Sequence, residues 1–166
     1  MVKTHILAIL APVPEMHLLS AMENIARLKN ELSDELIKTA FASDDVKLFR
    51  KADELRGDQS IEVFIYASKS SADQPLNSEA SWHGLYIGHV NSHNGRYPGN
   101  PKFRPPSTIT DDPTTGIFWE VQDLERLTPP TPPIKIGSLR GLNKKQSYSP
   151  LFIPRRPLLI EYPLRG

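Results

Sequence analysis

"SWHGLYIGHV", Ser81 to Val90, holds a Trp, two His, a Tyr and two Gly in ten residues. The run "GLYIGHV" predicts a strand over 84–90. Glycine inside a strand marks a tight bend or a close backbone approach. Gly84 and Gly88 therefore predict a curved strand in a small sheet. The histidines suggest a competing metal or acid–base reading. His83, His89 and His93 are spaced by six and four, which matches neither HExxH nor a common zinc pattern. Asp111 and Asp112 would have to complete such a site. His83 and His89 read instead as structural or pocket-rim groups, and no metal or cofactor is expected.

Outward from this strand, "THILAIL" (Thr4 to Leu10) is a short apolar run that predicts a buried strand ending at Pro12. Pro14 suits the first position of a helix, where its missing N–H costs nothing. Leu18, Met22, Ile25, Leu28, Leu32 and Leu36 recur at threes and fours and predict one apolar helix face over five turns. "ASDDVKLFRKADELRG" predicts a second helix, N-capped by Ser43 and ended by Gly57, with Leu48, Phe49, Ala52 and Leu55 inward. "IEVFIYAS" predicts a strand with Ile61, Val63 and Ile65 on one face and Phe64, Tyr66 and Ser68 on the other. Residues 69–80 read as a loop. "IFWEVQDLERL" returns to strand, with Trp119 among apolar neighbours on its own face. "TPPTPP" reads as a stiff polyproline spacer, "IKIGSLRG" as a short strand or turn, and Leu158 to Tyr162 as a last strand. Residues 91–116, with five prolines and no periodicity, are too long for a mere connection and predict a functional or mobile insertion.

The 166 residues predict a single domain, with 39% hydrophobic and 23% charged content typical of a soluble globular chain. No apolar run approaches a membrane span, and "ILAILA" lacks a credible signal-peptide cleavage site. The absence of Cys excludes disulfides, thiol catalysis and Cys-ligated metals and fits a cytoplasmic location. Phosphate-cradling glycine loops and a GxSxG elbow are absent too. The formal net charge of +1 conceals an asymmetry: residues 91–166 carry 11 Lys/Arg against 6 Asp/Glu. A basic half suits an anionic partner such as nucleic acid.

Trp82 and Tyr97 fall in or beside loops, where a large aromatic gains little as core. An extruded base is held by aromatic stacking and hydrogen bonds to its edge. Lys69, Arg96, Lys102 and Arg104 are the cations placed to meet its phosphates.

The order of these segments resembles the PUA-like superfamily, nearest to the EVE domain, a relative of the YTH and ASCH domains. Gly57-Asp58, Val63, Tyr66, Gly84, Gly88, Val90, Trp119, Leu124 and Leu127 occupy the places of its short motifs, and the resemblance spans most of the chain. It implies an α+β fold: a small, curved, mostly antiparallel β-barrel with two or three helices packed on it, and an insertion at 91–116. It further implies a pocket that reads modified bases in DNA or RNA, lined by position with Ala11, Ser43, Tyr66, Ser68 and Trp82. The leading expectation is a non-enzymatic nucleic-acid-binding module. Two alternatives stand beside it. One is a small ASCH-like enzyme, a hydrolase or nuclease, using Asp111, Asp112 or a His. The other is a protein-interaction module that docks through its proline-rich segments.

Overall fold

A computed structural model describes residues 2–32, 36–69, 78–108 and 114–163. The chain opens with β1 (Lys3–Pro14), whose residues Leu7 to Ala11 are wholly buried. Leu7, Ile9, Ala11 and Val13 enter one core; Ala8 and Leu10 enter another on the opposite face. An unbroken apolar run is what a strand covered on both faces requires. Five more strands complete its sheet: β2 (Thr39–Ser43), β3 (Ser60–Ser68), β5 (Trp82–Asn91), β6 (Ile117–Arg126) and β8 (Leu158–Glu161). Their order is β2-β6-β5-β3-β1-β8. Only β1 and β3 run parallel, with Leu10 opposite Phe64 and Pro14 opposite Ser68. A separate two-stranded ribbon joins β4 (Glu79–Ala80) to β7 (Ile134–Lys135). The fold is thus α+β with a mostly antiparallel six-stranded sheet. Among the described residues no ladder joins β2 to β8, so closure into the expected barrel is not part of the observed pairing.

The two glycines of β5 do what strand chemistry asks of them. A Cβ on Gly84 would lie 2.5 Å from Val121 Cγ1 and 3.1 Å from the Gln122 carbonyl oxygen, so β6 approaches only because none is there. Gly88 has φ +141° and sits where the β5–β6 register slips. Such a bulge bends the strand and re-aims the side chains beyond it. Trp82 belongs to this strand, not to the loop before it, and pairs with Ile65 and Arg126.

Helix α1 (Glu15–Glu31) follows Pro14 directly and buries Leu18, Ala21, Asn24 and Leu28. Its face is shorter than the periodicity predicts. Leu32 already caps it, its N–H donating to the Leu28 carbonyl, and Leu36 lies beyond it, 61% exposed. Helix α2 (Val46–Arg56) buries Phe49 and Ala52. Its cap is Asp45, whose carboxylate accepts from Leu48 N at 3.2 Å, rather than Ser43. Ser43 instead ends β2, a five-residue strand that the sequence reading takes for the approach to α2. Leu55, expected inward, is exposed near the helix end. Among the described residues no helix is long and apolar enough to cross a membrane.

Residues 91–108 are built, not shapeless. His93 bridges to Arg96, and a 3₁₀ turn at Pro101–Phe103 is capped by the Asn100 side chain, burying Phe103. Residues 128–132, in "TPPTPP", form an exposed turn between β6 and β7. The C-terminal segment then covers the second core with Ile136, Leu139, Tyr148 and Phe152.

Candidate functional site

Where β1 ends and α1 begins, the chain leaves an open cleft of about 760 Å³, a size usual for small-molecule and nucleotide sites. One wall is Pro12, Val13, Pro14 and His17; the opposite wall is the segment from Gly95 to Thr108. The floor is Phe41 and Ala42 of β2 with Phe118 and Trp119 of β6. Phe41, Phe118 and Trp119 are each at most 4% exposed, so they offer a guest little open ring surface. The surfaces a guest would touch are proline rings, Tyr97 and the polar groups of the loop.

The loop is tied to its surroundings by side-chain hydrogen bonds. Asn24 Nδ2, on α1, donates to the Lys102 carbonyl at 2.7 Å, and Ser107 N donates to Ser20 Oγ at 3.0 Å. His17 Nδ1 lies 2.7 Å from Ser107 Oγ. Arg104 Nη1 donates to the Ala40 carbonyl at 2.6 Å, and its guanidinium lies 4.9 Å from the Phe118 ring centre. Tyr97 donates its hydroxyl proton to Glu120, which also pairs with Lys38 at 3.0 Å. Burial and this carboxylate push the Tyr97 phenol well above its ordinary range, so it remains a donor. Burial, together with Arg104 and Lys69, holds His17 below the ordinary histidine value.

Of the residues expected at a site, Arg96, Tyr97 and Arg104 line this cleft together. Lys102 points away and pairs with Glu31 at 3.4 Å, leaving its neighbour Pro101 on the wall. Ala11 is fully buried one residue before Pro12, and Ser43 follows Ala42. Both are displaced by a single position, and in a strand one position reverses the face. Ser68 is level with Pro14 across the ladder but does not line the cleft.

Two expected pocket residues are core. Trp82 is 2% exposed and packs with Ile65 and Leu124, capped by Arg126 with its guanidinium 5.1 Å from the ring centre. Tyr66 faces the second core beside Phe64 and Ile160, away from the cleft, and burial raises its phenol.

The histidines of the opening stretch do not converge. His83 lies between Glu62 and Glu125. His89 Nδ1 meets Asp53 Oδ2 at 2.6 Å, and His93 is exposed. Among the described residues no group of three or more acids and histidines is placed to hold a metal. Asp111 and Asp112 lie outside the described residues. His17 and Ser107 are the cleft groups that sequence reasoning missed. A polar His in the first turn after "PVP" was the available signal. No protein-family model, curated protein or solved structure matches the chain.

Proposed function

We propose that this chain is a nucleic-acid-binding module of PUA-like type, and that the cleft at the β1–α1 junction receives an extruded base of RNA or DNA. The observation that carries the reading is the convergence of Arg96, Tyr97 and Arg104 on one cleft of nucleotide size. Arg104 and Tyr97 are positioned there by their contacts with the Ala40 carbonyl and Glu120. The base edge would lie against Tyr97 and the prolines, over the closed floor of Phe41, Phe118 and Trp119. Arg96 and Arg104 would meet the flanking phosphates. The guest would be clamped between proline and tyrosine surfaces, because the floor aromatics are too buried to stack on it.

The test is a titration of the full chain with plain and base-modified oligonucleotides, single- and double-stranded, across a salt series. Binding to single strands that weakens steeply with salt supports the reading. Flat signals for every oligonucleotide at low salt contradict it.

A further inference from the structure

His17 stands in the first turn of α1, on the cleft wall, 2.7 Å from the Ser107 hydroxyl. Arg104 faces it from the loop and Lys69 from just beyond β3, and both act on it electrostatically. Glu120, the buried acid on β6, is engaged by Lys38 and Tyr97. The field at His17 is therefore cationic, and burial together with these cations disfavours the charged ring in the free protein.

We infer that the cleft holds a phosphodiester against His17 and Arg104, and that binding takes up a proton at His17. The inference rests on the base-binding reading of the cleft and adds to it the anchoring anion and its pH dependence. The Arg104 guanidinium is fixed over Phe118 by its bond to the Ala40 carbonyl, and its planar fork suits phosphate oxygens. A diester set among these cations offsets their field at His17, and a nearby opposite charge favours the charged ring. Both nitrogens of an imidazolium donate. In the charged ring Nδ1 donates to Ser107 Oγ and Nε2 donates to a phosphate oxygen. The proton comes from solvent, and no covalent bond forms or breaks.

The sign follows from linkage. His17 is depressed in the free protein and raised in the complex, so affinity rises as pH falls from the bound value toward the free one. A phosphodiester keeps one negative charge throughout this range, so the pH dependence belongs to the protein.

The experiment is a titration of the full chain with a mixed-sequence single-stranded pentanucleotide and with its uncharged methylphosphonate analogue, from pH 5.5 to 8. The His17 ring is followed by NMR in parallel. The diester should bind more tightly as pH falls, by up to about tenfold per pH unit, and the His17 titration midpoint should move upward in the complex. His17→Asn, which keeps a polar atom near Ser107, should flatten the pH dependence. A pH-independent affinity, an unmoved His17 midpoint, or a pH dependence that survives His17→Asn overturns the inference. Should His17→Asn fail to fold, the ring titration of the unaltered chain decides alone. Equal, pH-independent binding of the diester and its uncharged analogue overturns the phosphate anchor while leaving the base-binding reading standing. Failure of both probes to bind overturns both.

Discussion

Trp82 and Trp119 are the only tryptophans in the chain, and they show how far a residue's neighbours in sequence mislead about its neighbours in space. Trp82 follows a polar segment, which argues for a loop aromatic, yet it is the first residue of β5 and lies inside the core. Trp119 sits in a plainly apolar strand, yet it forms part of the cleft floor. Trp82→Ala should cost about 3–5 kcal/mol, as large aromatic deletions in cores do, and chemical denaturation measures it. A loss below about 1 kcal/mol would mean that Trp82 is not core. Gly84 carries a comparable constraint without a side chain. Gly84→Val should destabilise the chain strongly, because the Val121 side chain and the Gln122 carbonyl of β6 stand where the new atoms must go; a thermal melt equal to that of the parent chain would refute the close approach.

His83 belongs to this scale too, now as a structural ion-pair centre. Hydrogen bonding to Glu62 raises it against the opposing effect of burial, and Glu125 adds to the rise. Glu62 is pulled up by burial but held at about 2 by His83, Lys3 and Tyr162. The sign of each contribution is fixed by these directions. The His83 contribution is full below its ordinary value of 6.5 and is lost as pH rises through its raised value. The Glu62 contribution is present above its ordinary 4.5 and is lost as pH falls toward 2. The stabilisation from the His83–Glu62 pairing should therefore be greatest between about pH 4.5 and 6.5. His83→Gln should remove the decline on the alkaline side, and an unchanged alkaline slope would contradict the pairing.

Among the elements, long periodic segments were legible and short ones were not. β1, α1, α2, β3, β5, β6 and β8 announce themselves through alternation, apolar runs or caps. β2 does not, because its five residues fit a helix approach equally well, and only pairing with β6 makes them a strand. The segment 91–108 has no periodicity because its order comes from contacts with α1 and β2 rather than from its own backbone pattern. Its basic residues were visible in sequence; which of them face the cleft was decided by those staples. Asn24 is the central one, buried, donating to the Lys102 carbonyl and accepting from Arg27. Asn24→Ala leaves that carbonyl without its partner, at a cost of about 1–3 kcal/mol. Amide hydrogen exchange across 100–108 should accelerate in this variant while β3 and β5 remain protected. Unchanged exchange in the loop would show that Asn24 does not hold it.

For the whole molecule, the basic C-terminal half is compatible with an anionic partner, and the α+β architecture by itself selects none. The cleft is what the proposed reading rests on, since the arginines contributed by that half stand beside an aromatic floor at a junction of β1, α1, β2 and β6. Arg96→Gln should weaken oligonucleotide binding about uniformly across sequences and lower the salt slope by about 0.7 for a single strand. A sequence-selective loss would assign Arg96 to the base instead.

The two tryptophans give the most direct test of the cleft itself. They lie at opposite ends of the β5–β6 ladder, where Trp82 pairs with Arg126 and Trp119 with His89. Seven residues of strand separate these positions, about 23 Å at the usual rise. In an NMR titration with a single-stranded oligonucleotide, the Trp119 indole and the amides of Gly95 to Ser107 should shift together while the Trp82 indole stays in place. An oligonucleotide that binds yet leaves Trp119 unmoved, or moves Trp82 instead, would contradict the assignment of the cleft as the binding site.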